Sequence, residues 1–493
     1  MKMMYSLPSP ERQRGVPCAP HGMSPNTARW RSRLRLISVI AVFCAWSAGA
    51  LSAAAERPNV LLIIVDDLRP ELGCYGVSRA HSPNVDRLAE RGMRFDRAYC
   101  QYPVCNASRT SFLTGLRPET TRVFSNDLYF REKLPDAVTL PELFKKNGYR
   151  TVSLGKIFHA GGKLAKLSAS GGADAERSWD EVKVFAPTKT GMQGEGREMT
   201  NPGGNRGWCR WLAADGGDED QPDGQYAAEG VRILNEPREQ PLFLAVGFNK
   251  PHDPFISPKK YFDLYPPESI EPPQVPEKRG PAAPLAISRA TDFSKFTDQD
   301  RREFLRAYLA GVSFMDAQVG KLLAALDATD RWKNTVVVFF GDHGYHLGEH
   351  GWWNKSTVFE ESARVPLIVW SPGTRGAGKA TNAIVELVDV YPTLCDLCGL
   401  TAPSDLQGKS FRPVLDDPSL PGKPAAFTVV ERGGVLGRSV RTDRWRYTEW
   451  DEGRKGAELY DQATDPDDYV NLADDPQHAP TVAELKKLLV SGE

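Results

Sequence analysis

The sequence predicts an α/β fold: a sandwich of helices around a large, mostly parallel sheet, with a smaller α+β unit carrying an antiparallel sheet at the C-terminus. Three observations predict it. The runs at 59–65 (NVLLIIV), 242–248 (LFLAVGF) and 335–340 (TVVVFF) are continuous, apolar and rich in β-branched residues, the pattern of strands buried on both faces. Helical patterns alternate with them, as in layered α/β domains. Two of the runs end in acidic residues, Asp66-Asp67 and Asp342-His343, at the carboxyl ends of strands where such sheets place their sites.

Each element has a local reason. Residues 83–92 (PNVDRLAERG) read as a short helix with Pro at its start and Gly at its end. Residues 139–148 repeat that grammar, with Thr139 as cap, Pro141 in the first turn and Gly148 as stop. A strand follows at 149–154. Residues 301–328 carry a long helical period through Phe304, Tyr308, Val312, Met315, Val319, Leu322 and Leu326. Residues 365–370 read as a further fully buried strand. The polar, Gly-rich stretch 171–221 reads as a surface excursion, and 266–284 as a Pro-rich extended segment. After a turn-rich linker at 416–424, residues 426–431 and 438–450 alternate like antiparallel strands. The domain boundaries are therefore 1–55 for a leader, 57–420 for the main domain and 425–493 for the C-terminal unit.

The chain has 493 residues, with 62 Lys+Arg against 63 Asp+Glu. A net charge of -1 argues against a general nucleic-acid binder. An apolar share of 41% with 25% charged residues excludes collagen-like, disordered and multi-span membrane classes. At the N-terminus, Arg29, Arg31, Arg33 and Arg35 precede an apolar run that ends in Ala53-Ala54-Ala55. This reads as a secretory signal cut near Ala55/Glu56, with an uncut anchor as the alternative. The expected location is periplasmic or secreted, without stable membrane insertion after cleavage. Cys18 and Cys44 leave with the signal. Cys395 and Cys398 fall on an amphipathic helical pattern and read as buried helix residues or a local disulfide, against a redox or zinc half-site.

Asp66, Asp67 and Asp342 are hard oxygen ligands that would repel one another unless a cation held them, and calcium or magnesium suits them. His343 adds a nitrogen. His343, His346 and His350 also allow a zinc reading, although three glycines make that stretch a loop. Cys105 opens CNASRTSFLTG, a passage from loop into helix. A helix N-terminus favours anions and lowers a thiol pKa, and Arg109 one turn on can fork onto an oxyanion.

This string resembles the signature of type I sulfatases, Cys-x-Pro-Ser-Arg followed by Leu-Thr-Gly. The resemblance extends through RPNVLLIIVDDLRPELGCYG, VSLGKIFH at 152–159, FLAVGFNKPH at 243–252, GDHGYHLGEHG at 341–351 and ELYD at 458–461, in the order found in iduronate-2-sulfatase-like members. One departure is Ala107, where the usual signature has Pro. Some bacterial sulfatases resembling this chain carry Ala there.

The resemblance implies an alkaline phosphatase-like fold. It implies that a formylglycine-generating or other sulfatase-maturating enzyme converts Cys105 to formylglycine. One Ca2+ would be held by Asp66, Asp67, Asp342 and His343 together with the modified Cys105. Arg109 would brace the hydrated aldehyde and the metal side, and Lys156, His159, His252 and Lys355 would surround the sulfate. One hydroxyl of the hydrate would attack sulfur, with His252 protonating the leaving sugar oxygen. His159 would then help the second hydroxyl expel sulfate, a step that plain Cys or Ser cannot take. The implied substrate is a sulfated oligo- or polysaccharide attacked exo-wise, a 2-O-sulfated uronic acid or a related sugar. Arg438, Arg441, Arg444 and Arg446 are candidates for a carboxylate partner. The alternatives are a phosphonate or phosphate monoester hydrolase of the same superfamily and a non-catalytic binder of sulfated glycans.

Overall fold

The computed structural model describes residues 57–159, 174–200, 209–277, 280, 282–288 and 291–492. The leader assigned to residues 1–55 lies outside the described residues.

In chain order the first strands are β1 (Asn59–Val65), β2 (Met93–Tyr99), β3 (Arg150–Gly155), β4 (Glu181–Lys183), β5 (Gly194–Glu198) and β6 (Arg210–Ala214). They are followed by β7 (Leu242–Phe248), β8 (Phe255–Pro258), β9 (Thr335–Gly341), β10 (Arg364–Trp370) and β11 (Ala380–Glu386). The helices used below are α1 (Pro83–Arg91), α2 (Cys105–Thr114), α3 (Leu140–Lys146), α4 (Pro222–Asn235), α5 (Asp298–Ala328) and α6 (Val390–Cys398).

The main sheet has eight strands in the order β11-β2-β10-β9-β1-β7-β3-β4. β1 pairs in parallel with both β7 and β9. β10 is antiparallel to both of its neighbours and is the one reversed strand of this sheet. Alternate residues of β1 serve two cores. Leu61, Ile63 and Val65 face a layer that includes α1, α4 and α5. Val60, Leu62 and Ile64 face a layer that includes α2, α3 and α6. Period-2 alternation on a doubly covered strand thus builds a three-layer sandwich.

Caps account for the helix starts. Thr139 and Glu142 form a capping box at α3. Thr297 and Asp300 form one at α5, which therefore begins at Asp298, three residues before the apolar period becomes visible.

Several expectations need correction. The run at 365–370 is a buried strand, but it lies antiparallel, because an apolar run carries no direction. The stretch 171–221 is more than a surface excursion. It supplies the edge strand β4, and β5 and β6 form a three-stranded sheet with β8. β2 and β11 were not foreseen, since charges at Arg94, Asp96 and Arg97 mask the inward Met93, Phe95 and Ala98. Of the two readings given to Cys395 and Cys398, buried helix residues holds: both lie buried on α6 as free thiols, without a local disulfide.

The C-terminal antiparallel sheet contains β12 (Ala426–Arg432), β13 (Val435–Arg441), β14 (Trp445–Trp450) and β15 (Ala457–Asp461). The single run expected at 438–450 is thus parts of two strands around a turn. α7 (Ala479–Ser491) packs Leu485 and Leu489 against Val440, Tyr447 and Leu459 of this sheet.

Candidate active site

The site is built where neighbouring strands end together. Val65 and Gly341 are register partners, so Asp66 and Asp342 leave the sheet side by side. The N–H of Asp342 donates to the Val65 carbonyl at 3.0 Å. The Asp342 carboxylate accepts from the N–H of Asp67 (3.0 Å) and of His343 (2.9 Å). Asp67 itself sits at φ 61, a left-handed turn that redirects the chain directly after Asp66.

β3 and β7 deliver the next residues. Lys156 donates its N–H to the Gly247 carbonyl at 3.0 Å. A Cβ at Gly247 would lie 2.0 Å from the Lys156 carbonyl oxygen, so the strand ends approach this closely only because position 247 is glycine. After β7, Asp223 fixes the exit. Its carboxylate accepts from the main-chain N–H groups of Asn249 (3.0 Å) and Lys250 (2.8 Å). Lys250 Nζ then ties the carbonyls of His252 and Pro254 at 2.6 and 2.7 Å, which holds the loop that carries His252.

Cys105 is the first residue of α2 and is fully buried. Its sulfur is 3.2 Å from Lys355 Nζ, 3.5 Å from His343 Nε2 and 4.0 Å from Asp67 Oδ1. Arg109, also fully buried, places Nε 2.8 Å from Asp342 and Nη2 3.3 Å from Asp66, and its Nη1 donates to the Lys156 and Ile157 carbonyls. The guanidinium therefore braces two carboxylates and the end of β3 at once. Lys156 is ion-paired to Asp66, and Lys355 to Asp67 at 2.5 Å. His252 Nε2 lies 3.9 Å from Asp66 and 3.8 Å from Asp67, while its Nδ1 meets the Asp253 carbonyl.

Electrostatics follow from this crowding. Burial would raise the Cys105 thiol, but Lys156 and Lys355 hold it well below the usual thiol range, with His159 and His252 adding to the effect. Burial opposes charge on His252, yet Asp253 and Asp67 push its pKa up to about 9. Burial moves His159 the other way, below the ordinary imidazole value. Two imidazoles of one site thus have opposite protonation preferences.

All ten residues expected at the site contribute to one region. Donor atoms of Asp66, Asp67, Cys105 and His252 lie within 4.8 Å of one another, as do those of Asp66, Cys105, Asp342 and His343. Asp67 Oδ2 is buried without a hydrogen-bond partner among the described residues. The carboxylates of Asp66, Asp67 and Asp342 in these groups are oxygen donors suited to a hard cation. Of the three histidines behind the zinc reading, only His343 takes part. His346 Nε2 pairs with the Thr357 hydroxyl at 2.7 Å, and His350 stacks on Phe359 at 4.2 Å.

A cavity of about 650 Å³ opens from this cluster, with Asp66, Lys156, His159 and His252 in its wall. Both ring nitrogens of His159 are buried there without a hydrogen-bond partner among the described residues. Asn126, Lys250 and Asp253 also line it. Sequence reasoning missed all three, although Lys250 and Asp253 flank the Pro251-His252 pair and could have been found from it. The arginine candidates for a carboxylate do not line the cavity. Arg446 is buried against Glu360, with Asp468 at 3.2 Å. Arg441 reaches Glu360 at 3.3 Å and Arg444 reaches Asp461 at 2.6 Å. Arg438 faces Glu449 across the β13–β14 pair. An alternating Arg pattern that reads as solvated is instead largely consumed by ion pairs.

Comparison with known proteins agrees with this arrangement. The Sulfatase family profile matches residues 58–400, and the profile described as N-sulphoglucosamine sulphohydrolase, C-terminal, matches residues 348–492. The iduronate 2-sulfatase of Mus musculus is 33% identical, with 93% of this chain and 98% of that protein covered. The solved structure of a 2-O GAG sulfatase aligns with TM-score 0.66 and 25% identity over 89% of this chain and 92% of that one. The phosphonate monoester hydrolase of Agrobacterium radiobacter aligns with TM-score 0.71 over 88% and 95%, and at 23% identity shares the fold. With the signature cysteine, the acidic strand ends and the flanking lysines gathered in one cluster, the chain belongs to the sulfatase family and is a sulfuric ester hydrolase.

Proposed function

We propose that this protein removes sulfate esters from a sulfated saccharide, acting exo-wise on a 2-O-sulfated uronic acid or a related sugar. Cys105 would act as formylglycine beside one calcium ion. The observation that carries this reading is the placement of Cys105 between Lys355 and the carboxylates of Asp66, Asp67 and Asp342. The names of the relatives, iduronate 2-sulfatase and 2-O GAG sulfatase, support the uronate class.

Asp66, Asp67, Asp342 and His343, with residue 105, would hold the ion. When present, formylglycine supplies the hydrated oxygen nucleophile and calcium supplies positive charge at the sulfate oxygens. The chain's own residues do the rest. Lys156 and Lys355 offset the negative charge that repels a nucleophile from a sulfate ester. His252, whose pKa is raised by the neighbouring Asp253 and Asp67 carboxylates, donates a proton to the leaving sugar oxygen. Its Nδ1–H donates to the Asp253 carbonyl, which aims Nε2 toward the cluster. His159, held neutral by burial, accepts a proton as sulfate leaves. Arg109 keeps Asp66 and Asp342 in place.

The reading includes export by the N-terminal signal to the periplasm or beyond, and encounter with a maturation enzyme that accepts Ala107. The test is sulfate release from a panel of defined sulfated oligosaccharides, with aryl phosphonate measured in parallel. Preferential release from a terminal 2-O-sulfated uronate is expected. Faster turnover of phosphonate than of every sulfate ester would overturn the reading.

A further inference from the structure

The cavity lined by Asp66, Lys156, His159 and His252 also has an apolar and aromatic part to its wall. That wall comes from the segment after β4, a stretch whose polar composition suggests solvent. Val184 and Phe185 line the cavity, as do Met192 farther along and Tyr226 from α4. Phe185 stacks on Tyr226 with ring centroids 5.5 Å apart. The Phe185 N–H donates to the Tyr226 hydroxyl at 3.2 Å, and that hydroxyl lies 3.4 Å from the Phe185 carbonyl. The segment is therefore pinned to α4 through both its side chain and its backbone.

Two large apolar side chains are held out at this wall. Val184 is 54% exposed and Met192 43% exposed, and they are two of the six large hydrophobic residues left exposed among the described residues. Isolated exposed apolar groups need no explanation, but these two border the same cavity as Asp66, Lys156, His159 and His252. A volume of about 650 Å³ falls within the range of small-molecule sites, which combine apolar and aromatic walls with a few convergent polar groups. Here Lys156, His159 and His252 are among the polar groups, and Val184, Phe185 and Met192 form part of the apolar wall.

Resting on the sulfatase reading above, we propose that Val184, Phe185 and Met192 form the specificity wall for the ring that bears the sulfate. The ester end lies against Lys156 and His252, and the apolar C–H face of a pyranose packs on Phe185 and between Val184 and Met192. The wall recognises shape and an apolar face, and the sulfate cluster supplies the charge recognition. Covering Val184 and Met192 on binding removes apolar surface from water and contributes binding energy at a distance from the reacting atoms.

The experiment uses the matured, full-length protein and the variants Val184→Ser plus Met192→Ser, Met192→Leu, and Phe185→Ala. The substrates are p-nitrophenyl sulfate and a sulfated disaccharide cleaved by the wild type, and inorganic sulfate is the competing inhibitor. The double serine variant changes exposed positions, so its fold is expected to be retained. Its KM should rise about tenfold or more on both ring substrates with kcat little changed. Inhibition by inorganic sulfate should stay as in the wild type, and Met192→Leu, which keeps an apolar side chain of similar volume, should raise KM far less than the serine variant. Phe185→Ala should raise KM further. Unchanged KM in the serine variant, or sulfate inhibition weakening in parallel with KM, would overturn the wall assignment while leaving the hydrolase reading intact. Absence of sulfate release by the wild type from any ester would remove the reading on which the assignment rests.

Discussion

Lys355 Nζ lies 3.2 Å from the sulfur of Cys105 while its other contact, at 2.5 Å, is a carboxylate oxygen of Asp67. One ammonium thus links the nucleophile position to the acidic cluster. Burial alone would lower its pKa, but Asp67 and Cys105 hold it well above the ordinary lysine value.

Lys355→Ala should therefore lower kcat by about a hundredfold to a thousandfold, the cost of removing one preorganised stabilising group. Circular dichroism should remain that of the wild type. A kcat within fivefold of wild type would show that Lys355 does not stabilise the reacting sulfate.

Asp342→Ala should abolish calcium binding. In the wild-type protein, calcium in excess over its Kd should raise Tm, since a ligand that binds only the folded state stabilises it by about 2.7 kcal/mol at a hundred times Kd. In the variant that shift should vanish. Thermal melts with and without chelator read this independently of turnover, and an equal calcium shift in both proteins would place the ion elsewhere.

His252→Ala should hurt a sulfated sugar far more than p-nitrophenyl sulfate, because a good leaving group needs little protonation. His159→Ala should slow both substrates alike and let a sulfated form of the protein accumulate, visible by intact mass. Single-turnover kinetics on the two substrates separate these patterns. Equal losses throughout would mean that both imidazoles only bind sulfate.

Asp218 gives a pH prediction away from the site. Burial would raise its carboxyl, but Lys260 at 2.7 Å and Lys321 at 2.9 Å hold its pKa at about 2, below the ordinary 3.8. The folded pKa is depressed, so its contribution to stability is complete above pH 3.8 and is lost as pH falls through about 2. Asp218→Asn should be less stable than the wild type at pH 6, with the gap narrowing toward pH 2. Urea melts across that range test it, and a gap independent of pH would refute the ion-pair origin.

Much of this was legible in the chain itself. Buried strands such as Asn59–Val65 announce themselves because both faces are apolar, and the acids that follow them mark the site end of the sheet. The signature around Cys105 marked the candidate nucleophile position without geometry, and the acidic strand ends and flanking lysines do gather around it. What stayed hidden depends on pairing. Strand direction at β10 and the existence of β2 are decided by neighbours far away in sequence. The loss of Arg441 and Arg446 to Glu360 is invisible because Glu360 lies some eighty residues upstream. Asp223 was missed as the anchor of the His252 loop, since a lone Asp near a helix start reads as a local cap.

Cys105 and His343 are separated by 238 positions, and the cysteine is sealed, with no exposed surface, once both are in place. The ribosome delivers them in that order. At about 5–20 residues per second, roughly 12–48 s pass between their syntheses. During that interval α2 has no β9 to dock against, and the sulfur is open to any catalyst that handles an extended peptide. Under the formylglycine proposal, the unfolded chain would give a modifying catalyst an access to this sulfur that the folded molecule, with Cys105 fully buried, does not.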